Sequence, residues 1–187
     1  MSTENQHTPD ISDEKLNALF ELTKNINLNA SISELLDIYR DVLENKLSIG
    51  RLMLLSHDGN WRCILSYGIE HDNLEFAIER AKGYSKVREI AQVHQDAWPH
   101  GCELDIVVPV YHKEKALAYV FLGDLKEIKN TGSPLKHLPY IQTLTNILVV
   151  AIENKKLAKE NIHQAILKHE LDLAKEIQSI QIGRAHV

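Results

Sequence analysis

The chain's 187 residues, 44% of them hydrophobic, suffice for one domain of ordinary size plus an appendage, and they are too apolar for a chain that stays unfolded. Its 21 basic and 26 acidic residues leave a net charge of −5 with no basic block, which argues against nucleic acid as a partner. Cys63 and Cys102 are too few and too far apart for a disulfide framework or a zinc site and read as buried thiols.

Residues 1–11 read as a disordered start. This stretch lacks the basic beginning and apolar centre of a secretory signal, and no apolar run approaches membrane-spanning length, so a soluble, cytoplasmic protein with no membrane partner is expected. Ser12 then suits an N-cap for a helix with Leu16, Leu19, Phe20 and Ile26 at helical spacing. A second helix starts at Ser31 with a Ser31/Glu34 capping box and buries Leu35, Leu36, Tyr39, Val42, Leu43 and Leu47.

After Gly50 the pattern changes to a β-hairpin: Leu52 to Leu55, the turn residues His57 to Asn60, then Trp61 to Tyr67. Asp72 with Glu75 signals a short helix carrying Leu74, Ala77, Ile78 and Ala81, with Gly83 as its stop. Tyr84 to Gly101 fits either a helix, from Val87, Ile90 and Val93, or a strand followed by a loop. Leu104 to Tyr111 and Ala116 to Leu122, joined by His112 to Lys115, are apolar on both faces and predict two central antiparallel strands with helices packed on both sides. From Pro139 a helix of about 60 Å continues to about Ile180 without glycine or proline, longer than the domain needs to cover its own sheet.

This order of elements resembles the GAF fold, an α+β architecture in which an antiparallel sheet has terminal helices on one face and a ligand-pocket layer on the other. The text from Asp105 through Pro109 to Tyr111, followed by Ala118 to Gly123 and Asp124, is similar to the hairpin typical of GAF domains, with Pro109 and Gly123 carrying the match. The likeness covers about residues 12–155. Downstream, Glu170 to Gln178 (Glu-Leu-Asp-Leu-Ala-Lys-Glu-Ile-Gln) resembles the lead-in helix of SpoIIE-like, metal-dependent PPM serine phosphatases. The resemblance implies that residues 156–182 are a signalling, coiled-coil helix leading to a phosphatase domain not included here. It also implies that Mn or Mg belongs only to that missing domain, and that the target is a phosphoserine regulatory protein, often an anti-sigma-factor antagonist. Gly183 to Val187 read neither as a capped helix end nor as the continuation expected there, and so as a vector-derived tail.

The long helix carries a heptad seam independently of any family. Ile152, Ile166, Leu173 and Ile180 occupy one position and Leu148, Ile162 and His169 the other, interrupted by Lys155, Lys159 and Glu176. Either this seam joins two copies in a homodimer through the terminal helices, or it covers the domain's own outer face up to about Lys155 and then frays.

Pocket candidates are Tyr84, His94, Trp98 and Cys102 in the variable segment, with Trp61 and Tyr67 placed on one side of their strand by period-two alternation. They either line a cavity or, as aromatics usually do, fill the core, leaving the histidine exposed. Ten histidines include no metal-ligand spacing, so no metal is expected, and no catalytic motif is present. The cyclic-nucleotide GAF signature and the motifs of bilin attachment are absent.

The expected function is therefore a non-enzymatic sensor module, with no cofactor in this chain beyond an unknown small-molecule ligand, that signals through a dimeric helix to a serine phosphatase. The alternative is a ligand-free GAF dimerisation scaffold. A GAF-type methionine sulfoxide reductase would need clustered redox cysteines, which this sequence lacks.

Overall fold

The structure, a computed structural model, describes residues 11–57, 60–94, 98, 100–125 and 134–184. The expectations for residues 1–10, for Asp58 and Gly59 and for residues 185–187 lie outside them. The first helix, α1, runs Ile11–Asn27, so Ser12 sits inside it instead of capping it. Asn29 at φ 59 ends the segment, with the Ala30 N–H donating to the Asn25 carbonyl at 2.9 Å. Ala18 and Leu22 are buried, whereas Leu16 and Phe20 are 66% and 64% exposed. The two pairs lie roughly 160° apart around a helix of 3.6 residues per turn, and only one of them can face the core.

The capping box at Ser31 forms as expected: its hydroxyl accepts from the Glu34 N–H at 3.2 Å and the Glu34 carboxylate accepts from the Ser31 N–H at 2.6 Å. It starts α2, Ile32–Asp41, which widens into one π turn at Val42–Lys46. Leu35, Tyr39, Val42, Leu43 and Leu47 are all buried.

Five antiparallel strands follow: β1 (Ile49–His57), β2 (Trp61–Tyr67), β3 (Ala91–Gln92), β4 (Ile106–His112) and β5 (Lys115–Leu125), in the spatial order β2-β1-β5-β4-β3. The β4–β5 hairpin is present with a tighter turn than expected, since His112 already pairs with Lys115. The middle strand is β5. Beyond Ile106 and Val107, which pair with β3, the outer edge of β4 has no strand beside it among the described residues. Pro109 stands on that edge: the ladder to β5 continues through it, its missing N–H falls outward, and its carbonyl accepts from Gln142 Nε2 at 2.8 Å.

One sheet face is covered by α3, His71–Ala81, through Ala77 and Ala81. Its N-cap is Glu70 rather than Asp72, and Gly83 lies in a 3₁₀ turn, Lys82–Tyr84, that extends the helix instead of stopping it. Residues 84–101, open between helix and strand in the sequence, contain after Tyr84 only the two-residue β3 as regular structure among the described residues. Against the other face lie α2 and the start of the last helix, α4, Leu138–Arg184, which follows a 3₁₀ turn at Pro134–His137. Pro139 occupies its first turn, where a missing N–H costs nothing.

The chain divides into two units, Met1–Val150 and Ala151–Val187. In the first, Ile141, Leu144, Thr145 and Leu148 of α4 are buried. In the second, Ala151 and Ile152 are buried and the side chains of residues 157–178 are exposed; the helix continues through Gly183 and Arg184, where a foreign tail was expected to begin.

A buried polar bond joins α2 to α4. Thr145 donates to the Ile141 carbonyl at 2.6 Å, so at the 2.7 Å contact between them the Tyr39 hydroxyl donates to Thr145 Oγ1. In Thr145→Val the Tyr39 hydroxyl is stranded, and chemical denaturation should show a loss of about 1–3 kcal/mol, part of which Tyr39→Phe in the same chain restores. His137 is buried, with neither ring nitrogen hydrogen-bonded among the described residues. Burial first, then Lys15 and Lys136, hold its pKa below the usual histidine range, so the folded state keeps it neutral. The stability tied to that neutrality is full above about pH 6.5 and is lost as pH falls through the folded value. Thermal melts should therefore lose more on acidification from about pH 7 to pH 5 in the natural chain than in His137→Phe.

Candidate functional site

Strand register builds the site on the α3 side of the sheet. Phe121 of β5 lies between Met53 of β1 and Val107 of β4, and Tyr119 lies beside Leu55, so one face of the middle strand is aromatic. Trp61 packs on Tyr119 with ring centres 5.0 Å apart, Tyr84 and Trp98 meet the ring of Phe121 at 5.8 and 6.0 Å, and Tyr111 meets Tyr119 at 6.2 Å. These tilted and edge-on contacts interlock the rings into one cluster with Cys102, Leu104 and Val93.

Four of the six expected pocket residues therefore converge: Trp61, Tyr84, Trp98 and Cys102. Tyr67 does not. A β-bulge between Leu54 and Leu55 breaks the alternation, so Cys63 pairs with Leu55 on the α3 side while Tyr67 pairs with Leu52 on the opposite face, where the Arg40 guanidinium lies 5.2 Å from its ring. The side chain of His94 is exposed, and only its backbone N–H takes part, donating to the Tyr84 hydroxyl at 3.1 Å. Tyr111, Tyr119 and Phe121 were missed as site residues, although their odd numbering on the two strands of one hairpin was the available signal.

Two phenols, of Tyr119 and Tyr111, anchor the irregular segment to the sheet. Tyr119 donates to the Ser85 carbonyl at 2.6 Å. Its oxygen is then the acceptor for Tyr111 at 2.8 Å, with the Val87 carbonyl at 3.2 Å as the second acceptor for the same Tyr111 proton. Burial pushes the Tyr119 phenol well above the usual tyrosine range, so it remains a donor at any physiological pH. The Trp98 indole N–H is buried in this layer with no hydrogen-bond partner among the described residues. Burial also raises the thiols of Cys63 and Cys102, leaving little thiolate for redox or nucleophilic chemistry. Among the described residues no group of three or more His, Cys, Asp or Glu side chains is placed to hold a metal ion.

In α4 the expected seam is split. Leu148 and Ile152 are buried, at 0% and 2% exposure, and so are core residues rather than interface, whereas Ile162, Ile166 and Leu173 are exposed. The side chain of Ile180 lies outside the described residues. A second exposed line, Leu157, Leu167 and Leu171, was not seen in the heptad reading, because that reading followed a single stripe. No helix among the described residues is long and apolar enough to cross a membrane.

No family model matches the sequence, and no curated protein sequence matches it with significance. Solved structures do match it. The GAF domain of a phosphoenolpyruvate-protein phosphotransferase from Coxiella burnetii aligns over 81% of this chain and 99% of its own at a TM-score of 0.57 and 12% identity. The corresponding domain from Acinetobacter aligns over 78% and 96% at 0.54 and 14% identity. The GAF domain of a protein described as a sensor histidine kinase from Pseudomonas syringae pv. tomato aligns over 81% and 93% at 0.55 and 12%. By these alignments the chain has the fold of a GAF domain.

Proposed function

We propose that this chain is the cytosolic signal-input half of a larger protein, a GAF-type sensor whose state passes along α4 to an effector, with the second half of α4 paired to that of a second copy. The observation that supports this is one unbroken helix, Leu138–Arg184. Its early residues Ile141, Leu144 and Leu148 are core, and from Leu157 to Ile177 it keeps large apolar side chains exposed, as an interaction surface does. The signalling proteins from which the matched GAF domains come support an input role.

The likeness of Glu170 to Gln178 to a phosphatase lead-in supports a SpoIIE-like PPM serine phosphatase as the effector. That domain would hold Mn or Mg and act on a phosphoserine regulatory protein, while this chain holds no cofactor and has no activity of its own. Sedimentation should find a dimer that Ile166→Lys with Leu173→Lys weakens at least about thirtyfold, with the melting of the sensor core unchanged. A natural chain that is monomeric at every concentration, or that hydrolyses a phosphoserine peptide with Mn, would end this reading.

A ligand-free dimerisation scaffold is the second reading, favoured by the interlocked rings that occupy the ligand layer. Tyr119→Phe separates the two. It removes the donor to Ser85 at a cost of about 1 kcal/mol, and hydrogen exchange in residues 85–94 should quicken. In a sensor the exchange of residues 157–178 changes as well, whereas in a scaffold the effect stays local.

A further inference from the structure

A groove between the outer edge of β4 and the first turns of α4 has a volume of about 450 Å³, within the range of small-ligand sites, and shares Tyr111 with the aromatic layer. We infer that it is an oxyanion site, taking a carboxylate or phosphate group of a small metabolite. Its polar lining is Arg88, Tyr111, Lys113, Gln142, Thr143 and Asn146, and no acidic residue is among the described lining, on a chain whose net charge is −5. Two cations and two amides therefore converge where the rest of the protein would repel an anion.

Proton accounting assigns the contacts. Thr143 donates its hydroxyl proton to the Pro139 carbonyl at 2.9 Å and presents only lone pairs to the groove. Gln142 uses one amide hydrogen on Pro109 and keeps the other. The anion is thus held by Arg88, Lys113, Gln142 and Asn146. The Arg88 guanidinium already sits 5.5 Å from the Tyr111 ring and binds a Glu114 carboxylate oxygen at 2.6 Å. Glu114 is on the hairpin turn with its side chain 85% exposed, so this pair is screened and easily exchanged. Glu114 acts as an internal stand-in that a better-placed anion displaces.

The consequence rests on the sensor reading. Arg88 follows Ser85 and Val87, the residues held by the Tyr119 and Tyr111 phenols, while Gln142 and Asn146 belong to α4. A bound anion ties the irregular segment directly to the helix that carries the output.

The test is a nuclear magnetic resonance titration of the full chain with inorganic phosphate and, in a parallel arm, with succinate. The reporters are the Arg88 Nε–H and the side-chain amides of Gln142 and Asn146. Saturable shifts with a millimolar midpoint are expected in at least one arm, and the arm that saturates identifies the source of the oxyanion. E114Q should tighten binding about two- to fivefold, the worth of an exposed ion pair. N146D, at an exposed helical position where folding is unaffected, should abolish it by placing a carboxylate in the groove. No saturable shift in either arm overturns the site, as does binding that survives undiminished in both R88Q and N146D; a lack of gain in E114Q overturns the role of Glu114. A dimer found by sedimentation alongside a silent titration leaves the sensor reading intact, so the two failures are distinguishable.

Discussion

The constraint on which the fold depends is that β5 is bonded along both edges and buried on both faces. Ala118 through Leu122 have no exposure at all, so every side chain must choose a layer by parity alone. Tyr119 and Phe121 go to the α3 side and Ala118, Val120 and Leu122 to the helical side. Near the end of the strand only glycine fits at Gly123, because a Cβ there would come within 2.3 Å of the Glu103 carbonyl and push away the backbone that leads into β4.

Magnitudes separate what holds the aromatic layer from what shapes it. Burying one such ring contributes about 1.5–3 kcal/mol, whereas a hydrogen bond contributes about 1 kcal/mol net. Ring packing therefore supplies the cohesion, and the phenols of Tyr111 and Tyr119 decide where Ser85 and Val87 lie. A segment placed by a few polar bonds over a strongly packed floor opens locally at little cost, which is the property an input layer needs. The same chemistry recurs on the opposite face, where the Tyr39–Thr145 bond joins α2 to the first turns of α4.

The fold class, the capping box at Ser31, both hairpins and the long helix were legible because each rests on local periodicity or turn chemistry. The site was legible only in part, and the reasons are specific. Tyr67 was assigned to the wrong face because a bulge adds one residue to the strand, and a one-residue slip inverts everything beyond it. For His94 the sequence left two readings open, and the structure takes the one in which the aromatics fill the core and the histidine is exposed. Leu148 and Ile152 share a heptad with Ile162 and Ile166, but a heptad reports which side chains are collinear, not which of them already have a neighbour.

By itself, then, the sequence determined the elements outside residues 84–101, their order and the GAF likeness, since spacing and capping act within a few residues of chain. Tertiary structure alone decided that β4 leaves a cationic groove beside α4, that Tyr67 turns away from the aromatic cluster, and which of the open readings holds for the rings on the α3 side of the sheet. Those facts depend on contacts between residues dozens of positions apart, and on bulges and edges that arise only when strands pair.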